Sequence, residues 1–212
     1  MRVVQNMSLP NTDFYFLRHG QTDWNLRHIA MGQKDIPLNQ NGIEQAHRAA
    51  DILESIPFET IVSSPLKRAH ETARIIAAKR QKKVILRDDL KEANWGAKEG
   101  QPKKDMSWIT KWRTVEHPED GIESTVLNES GESYSHFRHR VLTALKTVLT
   151  LPTPVLIVSH GGVYWPIQEY LSLPFADLTN ATPIFHRAPT HETQKWQTET
   201  LETESHIEYE FE

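Results

Sequence analysis

Two apolar runs, Thr12 to Leu17 and Pro154 to Ser159, each lead into a histidine followed by glycine: His19-Gly20 after the first, His160-Gly161-Gly162 after the second. Near-continuous apolar character, rather than strict alternation, marks a strand buried on both faces. Such a strand needs cover from both sides, so two of them commit the chain to a layered fold. Each also delivers an imidazole where the backbone must turn out of the sheet.

The intervening sequence supplies the layers. Gly42 to Ser55 reads as a helix with Ile43, Ala46, Ala50 and Leu53 on one face, and Thr60 to Ser63 as a short strand. Pro65 then opens a helix at the first-turn position that proline favours, running to about Arg80. Val84 to Leu86 is a further strand. Gly131 to Thr150 is the clearest helix, with Phe137, Val141, Leu145 and Val148 at helical spacing, and Gly162 to Leu171 is another. Ile184-Phe185 and Thr198 to Thr200 read as a β-hairpin. Alternating strands and helices predict an α/β fold of three layers, with a mostly parallel central sheet flanked by helices on both faces and a C-terminal β-hairpin. With no repeat or low-complexity linker, residues 1–212 are expected to form one domain. Residues 101–130 read as a variable cap or insert and 199–212 as an acidic tail.

Composition narrows the function classes. The net charge of −4 conceals an asymmetry: the last 14 residues hold six Glu and no Lys or Arg, which leaves residues 1–198 at +2. No basic stripe with interleaved aromatics is present, so no nucleic-acid partner is expected. No apolar stretch approaches the ~20 residues that span a bilayer, and Met1 to Pro10 lacks the apolar core of a signal peptide. No membrane partner is expected. The chain has no cysteine, which removes disulfides, thiolate metal sites and a Cys nucleophile and makes a cytoplasmic setting the default. His136 and His139 share a helix face, and His186 and His191 flank a loop, but neither pair has a third ligand at metal-site spacing. No metal and no other cofactor is expected.

In an open α/β sheet, ligands bind at the carboxyl ends of strands, where both histidine strings lie. A neutral imidazole at His19 can attack phosphorus near pH 7 without a separate base. Arg18 beside it offers a planar fork to phosphate oxygens, and Gly20 lets the backbone approach closely. His160 precedes a helix whose free N–H groups attract anions. Ser64-Pro65-Leu66-Lys67-Arg68 repeats the strand-end-to-helix arrangement, with Arg68 in the first turn. Individually these residues have plainer readings, a histidine closing a strand or an arginine in a surface ion pair. Together they suggest a site for a phosphoryl group.

The chain resembles the histidine phosphatase superfamily, the group that includes the cofactor-dependent phosphoglycerate mutases. Arg18-His19-Gly20-Gln21-Thr22 is similar to its signature, and Asp23-Trp24-Asn25 extends the likeness. Leu38 to Ala46, Ser63 to Ala73, Leu90 to Gly100 and Ser159 to Gly162 resemble its later motifs in the right order, spanning positions 12–162. The resemblance implies that His19 is the nucleophile, forming phosphohistidine. Arg18, Arg68 and His160 would hold the equatorial oxygens, with hydrogen bonds from Asn25 and the backbone of Gly161. Glu92 would protonate the leaving oxygen and then activate the hydrolytic water. Glu99 is the rival acid, and Glu92 fits the motif better.

Departures from the family pattern bear on substrate. Ile29 and Met31 stand where the family often has arginine and a polar residue, which predicts a less polar pocket wall. Glu92-Ala93-Asn94-Trp95-Gly96 lacks the Arg-His-Tyr string of the mutases, and their paired arginines are not evident. The expectation is therefore a metal-independent phosphomonoester hydrolase acting on a small phosphorylated metabolite. The alternatives are a 2,3-bisphosphoglycerate-dependent phosphoglycerate mutase and a non-catalytic phospho-ligand-binding protein. Trp108 and Trp112, with Lys103, Lys104, Lys111 and Arg113 around them, read either as a rim over the substrate or as core with solvated charges. The oligomeric state is left open, a homodimer included.

Overall fold

The computed structural model describes residues 8–103, 107–114, 131–191 and 193–202. Its six strands are β1 (Phe14–Arg18), β2 (Thr60–Ser63), β3 (Val84–Leu86), β4 (Val155–Ser159), β5 (Pro183–Arg187) and β6 (Gln197–Thr200), in the spatial order β3-β2-β4-β1-β5-β6. β3, β2, β4 and β1 pair in parallel, with Phe14 opposite Val155 and Arg18 opposite Ser159 at the centre. β5 returns antiparallel to β1 and β6 antiparallel to β5, so the expected hairpin forms one end of the same sheet.

The helices are α1 (Asp23–Leu26), α2 (Gln40–Ile52), α3 (Lys67–Arg80), α4 (Ser107–Thr114), α5 (Tyr134–Val148) and α6 (Gly161–Tyr170). Side chains alternate across a strand, and β1 divides accordingly. Phe14 and Phe16 pack with Phe137, Val141 and Leu145 of α5 and Val163 and Ile167 of α6. Tyr15 and Leu17 pack on the other face with Ala46, Ala49 and Ala50 of α2 and Ala73 and Ile76 of α3. Sheet and flanking helices thus make the three-layer α/β arrangement that buried strands require.

Several boundaries differ from the sequence expectation. α2 starts two residues early, because Asn39 caps it by accepting from the Gly42 amide at 2.8 Å. Pro65 is not in the first turn of α3. It precedes Leu66, which has no capping side chain, and the cap comes instead from Asp35, whose Oδ1 accepts from the Lys67 amide at 2.7 Å. The short helix α1 was not anticipated; Thr22 and Asn25 close it with a reciprocal capping box. In the expected cap, α4 is described, whereas residues 104–106 and 115–130 lie outside the described residues. Of the expected acidic tail, Glu199 and Thr200 belong to β6, and residues 203–212 lie outside the described residues. No helix among the described residues is long and apolar enough to cross a membrane.

Candidate active site

Because β1 and β4 are adjacent, parallel and in register, their C-terminal extensions emerge together. The His19 amide donates to the Ser159 carbonyl at 2.9 Å, carrying the pairing one residue past the strand. His19 and His160 then stand edge to face, ring centroids 5.3 Å apart. β2, on the far side of β4, ends beside them, and the first turn of α3 carries Arg68 into the same place.

His19 is buried, with Nδ1 2.7 Å from the Gly20 carbonyl. A carbonyl only accepts, so Nδ1 carries the proton and Nε2 holds the lone pair. Arg68 donates to that Nε2 through its Nε at 3.2 Å. Burial, then the positive charges of Arg68 and Arg18, hold the His19 pKa well below its usual 6.5, so the ring is neutral at neutral pH.

Arg68 has no solvent exposure. Its Nη1 and Nη2 donate to the carbonyls of Lys34 and Gly32, each at 2.8 Å, so the guanidinium ties His19 to the loop before α2. Burial lowers its pKa to about 10, which leaves it charged. Arg18 Nη1 donates to the Leu178 carbonyl at 2.7 Å, while its buried Nε has no partner among the described residues. Burial lowers the Arg18 pKa, against the pull of Glu92 and Asp177.

Glu92 is buried, with Oε1 accepting from the Ala93 amide at 3.0 Å and Oε2 from the Gly162 amide at 3.1 Å. A Cβ on Gly162 would sit 2.3 Å from Oε1, so only glycine admits the carboxylate there. Glu99, the rival acid, is a structural bracket: Oε1 accepts from the Gln33 amide at 2.8 Å and the Trp95 amide at 3.2 Å.

A cavity of about 430 Å³ brings Arg18, His19, Asn25, Arg68, Glu92 and Gly161 together. Asn25 accepts through Oδ1 from the amide and hydroxyl of Thr22, both at 3.1 Å, which fixes its side chain at the cavity wall. His160 lies behind the lining. It is fully buried, with Nε2 2.8 Å from Ser64 Oγ and a buried Nδ1 that has no hydrogen-bond partner among the described residues. Burial first, then Arg68, keeps its pKa well below the usual value.

Gly20 packs closely against α2 and α3. It is not part of the cavity lining; its amide donates to Thr72 Oγ1 at 3.0 Å, and a Cβ there would meet the Gly42 carbonyl oxygen at 2.4 Å. Glycine is required for contact with α2. Ile29 also departs from expectation: it pairs with Pro102 in a β-bridge, and of the two predicted apolar positions only Met31 lines the cavity.

Trp112 belongs to the core, its Nε1 donating to the Glu132 carbonyl at 2.8 Å, and Trp108 packs edge to face on Trp95. The residue of α4 that reaches the cavity is Ile109, between them. Lys103, Trp95, Trp165, Asp177 and Leu178 line it too, and sequence reasoning assigned none of them to the site except Lys103, as part of a general rim. Ser64 and Gly162 were likewise missed, although both sit inside recognised motifs.

A model of the histidine phosphatase superfamily (branch 1) matches residues 14–188. A Bacillus subtilis protein named "Uncharacterized phosphatase PhoE" is 33% identical over 158 residues, 74% of this chain and 75% of that protein. A Yersinia pestis protein named "Probable phosphoglycerate mutase GpmB" is 35% identical over 150 residues, 69% of this chain and 68% of that one. The crystal structure of an alpha-ribazole phosphatase from Shigella flexneri shares the fold, with a TM-score of 0.72 at 23% identity, covering 90% of this chain and 96% of that chain.

Proposed function

Since the chain belongs to the histidine phosphatase superfamily (branch 1), we propose that it hydrolyses small phosphomonoesters through a phosphohistidine on His19, without a metal. The observation that carries this reading is the anchoring of His19 Nδ1 on the Gly20 carbonyl, which leaves Nε2 as the lone-pair nitrogen.

In the first step Nε2 attacks phosphorus, the bond to the ester oxygen breaks, and Glu92 gives that oxygen its proton. In the second, water attacks phosphorus, its proton passes to the Glu92 carboxylate, the N–P bond breaks and phosphate leaves. Arg18, Arg68, His160, Asn25 and the Gly161 amide stabilise the charge that builds on the equatorial oxygens. These fixed cations and donors, with Arg68 and His160 fully buried, supply the compensation that a metal gives elsewhere.

The test is a rapid acid-free quench with radiolabelled substrate. A phosphoenzyme stable to base and labile to acid is expected in the wild type and absent in His19→Ala. Failure of the wild type to hydrolyse any phosphomonoester overturns the proposal.

The name of the Yersinia pestis relative raises the mutase reading. Conversion of 3-phosphoglycerate to 2-phosphoglycerate, assayed with and without the bisphosphate primer, decides it; a phosphatase releases phosphate and forms no isomer. Single-turnover release of phosphate excludes the pure binding protein.

A further inference from the structure

Resting on that phosphatase reading, we propose that the organic part of the substrate is a flat apolar or aromatic ring, as in an arylalkyl phosphate or a nucleoside monophosphate, and carries no second anionic group. Three observations point there. The first is size: about 430 Å³ lies at the small end of ligand pockets, which suits a phosphoryl group joined to a ring system rather than a phosphorylated protein loop.

The second is charge. Arg18, Arg68 and Lys103 bring three positive side chains to the cavity, and Glu92 and Asp177 bring two carboxylates. With Glu92 protonated for the first step and His19 and His160 neutral, these five side chains leave a surplus of two positive charges. One phosphoryl group, at about −1.5 to −2, uses that surplus completely. Lys103, half-buried with Nζ 5.5 Å from the Trp95 ring centre, also feels the negative charges of Glu92 and Asp177, so it is not left over for another anion. Asp177, exposed and part of the cavity lining near Arg18, opposes a second anion there.

The third is the wall. Met31, Trp95, Ile109, Trp165 and Leu178 enter the cavity from separate segments of the chain. Both indoles are held before any ligand arrives. Lys103 Nζ stands 5.5 Å from the Trp95 ring centre and Trp108 packs edge to face on Trp95, while the Arg113 guanidinium covers Trp165 at 5.1 Å. Fixed apolar walls gain affinity because little ordering remains to be done on binding.

The test uses pairs of esters with matched leaving groups on the wild-type enzyme. These are 2-phenylethyl phosphate with ethyl phosphate, a nucleoside 5′-monophosphate with ribose 5-phosphate, and 3-phosphoglycerate with glycerol 3-phosphate. The ring-bearing ester is expected to exceed its partner in kcat/KM by roughly 10- to 100-fold, the gain from burying one ring. 3-Phosphoglycerate is expected to fall below glycerol 3-phosphate. Trp165→Ala should collapse the ring preference, and Asp177→Asn should narrow the penalty on the second anion. Turnover with ring ratios within twofold, or a preference for 3-phosphoglycerate, overturns this inference and leaves the phosphatase reading standing. No turnover of any ester overturns both.

Discussion

Arg68 Nε lies 3.2 Å from His19 Nε2, with both side chains buried, so the nitrogen that holds the lone pair is oriented by a cation rather than by a carboxylate. A carboxylate partner would favour the imidazolium; Arg68 disfavours it and keeps the ring neutral. The same guanidinium clamps the Gly32 and Lys34 carbonyls, which couples the site to the stability of the loop around it.

Arg68→Lys therefore tests both roles. An ammonium cannot reproduce three divergent donations from a planar fork. We expect kcat/KM to fall about 10²- to 10³-fold, and stability to fall by about 1–3 kcal/mol from buried carbonyls left short of a donor. Steady-state kinetics and urea unfolding measure the two. Lost activity with unchanged stability would assign Arg68 to substrate alone.

Glu92→Gln removes the exchangeable proton while keeping a side chain of the same shape. With 4-nitrophenyl phosphate, whose leaving group needs no acid, a burst of nitrophenol should precede slow turnover as phosphohistidine accumulates. Steady-state turnover is expected to drop about 10²- to 10⁴-fold. Glu99→Gln should give no burst, because Glu99 braces the Gln33 and Trp95 amides.

Adjacent glycines should behave differently. In Gly162→Ala the new methyl falls 2.3 Å from Glu92 Oε1, so the carboxylate must move. In Gly161→Ala it meets Arg18 Nε at 3.6 Å, an ordinary contact. Gly162→Ala is expected to lower kcat at least roughly tenfold more than Gly161→Ala. Equal losses would show that the Glu92 position does not limit the reaction.

Gly20→Ala probes packing. Its methyl would sit 2.4 Å from the Gly42 carbonyl oxygen, backbone against backbone, so α2 has to shift. The expected cost is about 1–3 kcal/mol, or a Tm lower by roughly 2–12 °C for a chain of this size. Differential scanning calorimetry reads it. An unchanged Tm returns Gly20 to the role of admitting phosphate.

Acid should weaken the fold through His186. This ring is buried, stacked on Phe14 at 4.2 Å, with Nε2 2.8 Å from the Tyr164 hydroxyl. Burial lowers its pKa to about 3, whereas in the unfolded chain it titrates near 6.5. Between those values the unfolded state binds the extra proton, so stability is greatest above about pH 6.5 and falls as pH drops towards 3. The slope from this one group is about 1 kcal/mol per pH unit. Urea midpoints from pH 7 to pH 4.5 should fall steadily, and less steeply in His186→Phe.

Much of the site was legible because its residues sit at strand ends and helix starts. Arg18, His19, Arg68, Glu92 and Gly161 each lie in a short string whose neighbours dictate the turn, and all five line one cavity. Boundaries were less legible where a distant group decides them. Nothing near Pro65 says that Asp35 caps α3. At Gly20, a glycine beside a histidine gives no sign of the Gly42 carbonyl that presses on it from another helix. Trp165 and Asp177 follow the last motif at unremarkable positions, and only the return of the chain from α6 towards β5 brings Asp177 and Leu178 over Arg18.

By itself the sequence determined the layers and the chemistry offered, since buried strands, helix periods and the residue types at strand ends are local properties. The tertiary structure decided which nitrogen of His19 holds the lone pair, which glutamate lines the cavity, and which apolar side chains wall it. Those outcomes depend on close approach between segments far apart in the chain: Arg68 to His19, Glu92 to Gly162, Arg18 to Leu178. Contacts of that kind arise when helices and strands pack, and no local pattern of residues encodes the distance between them.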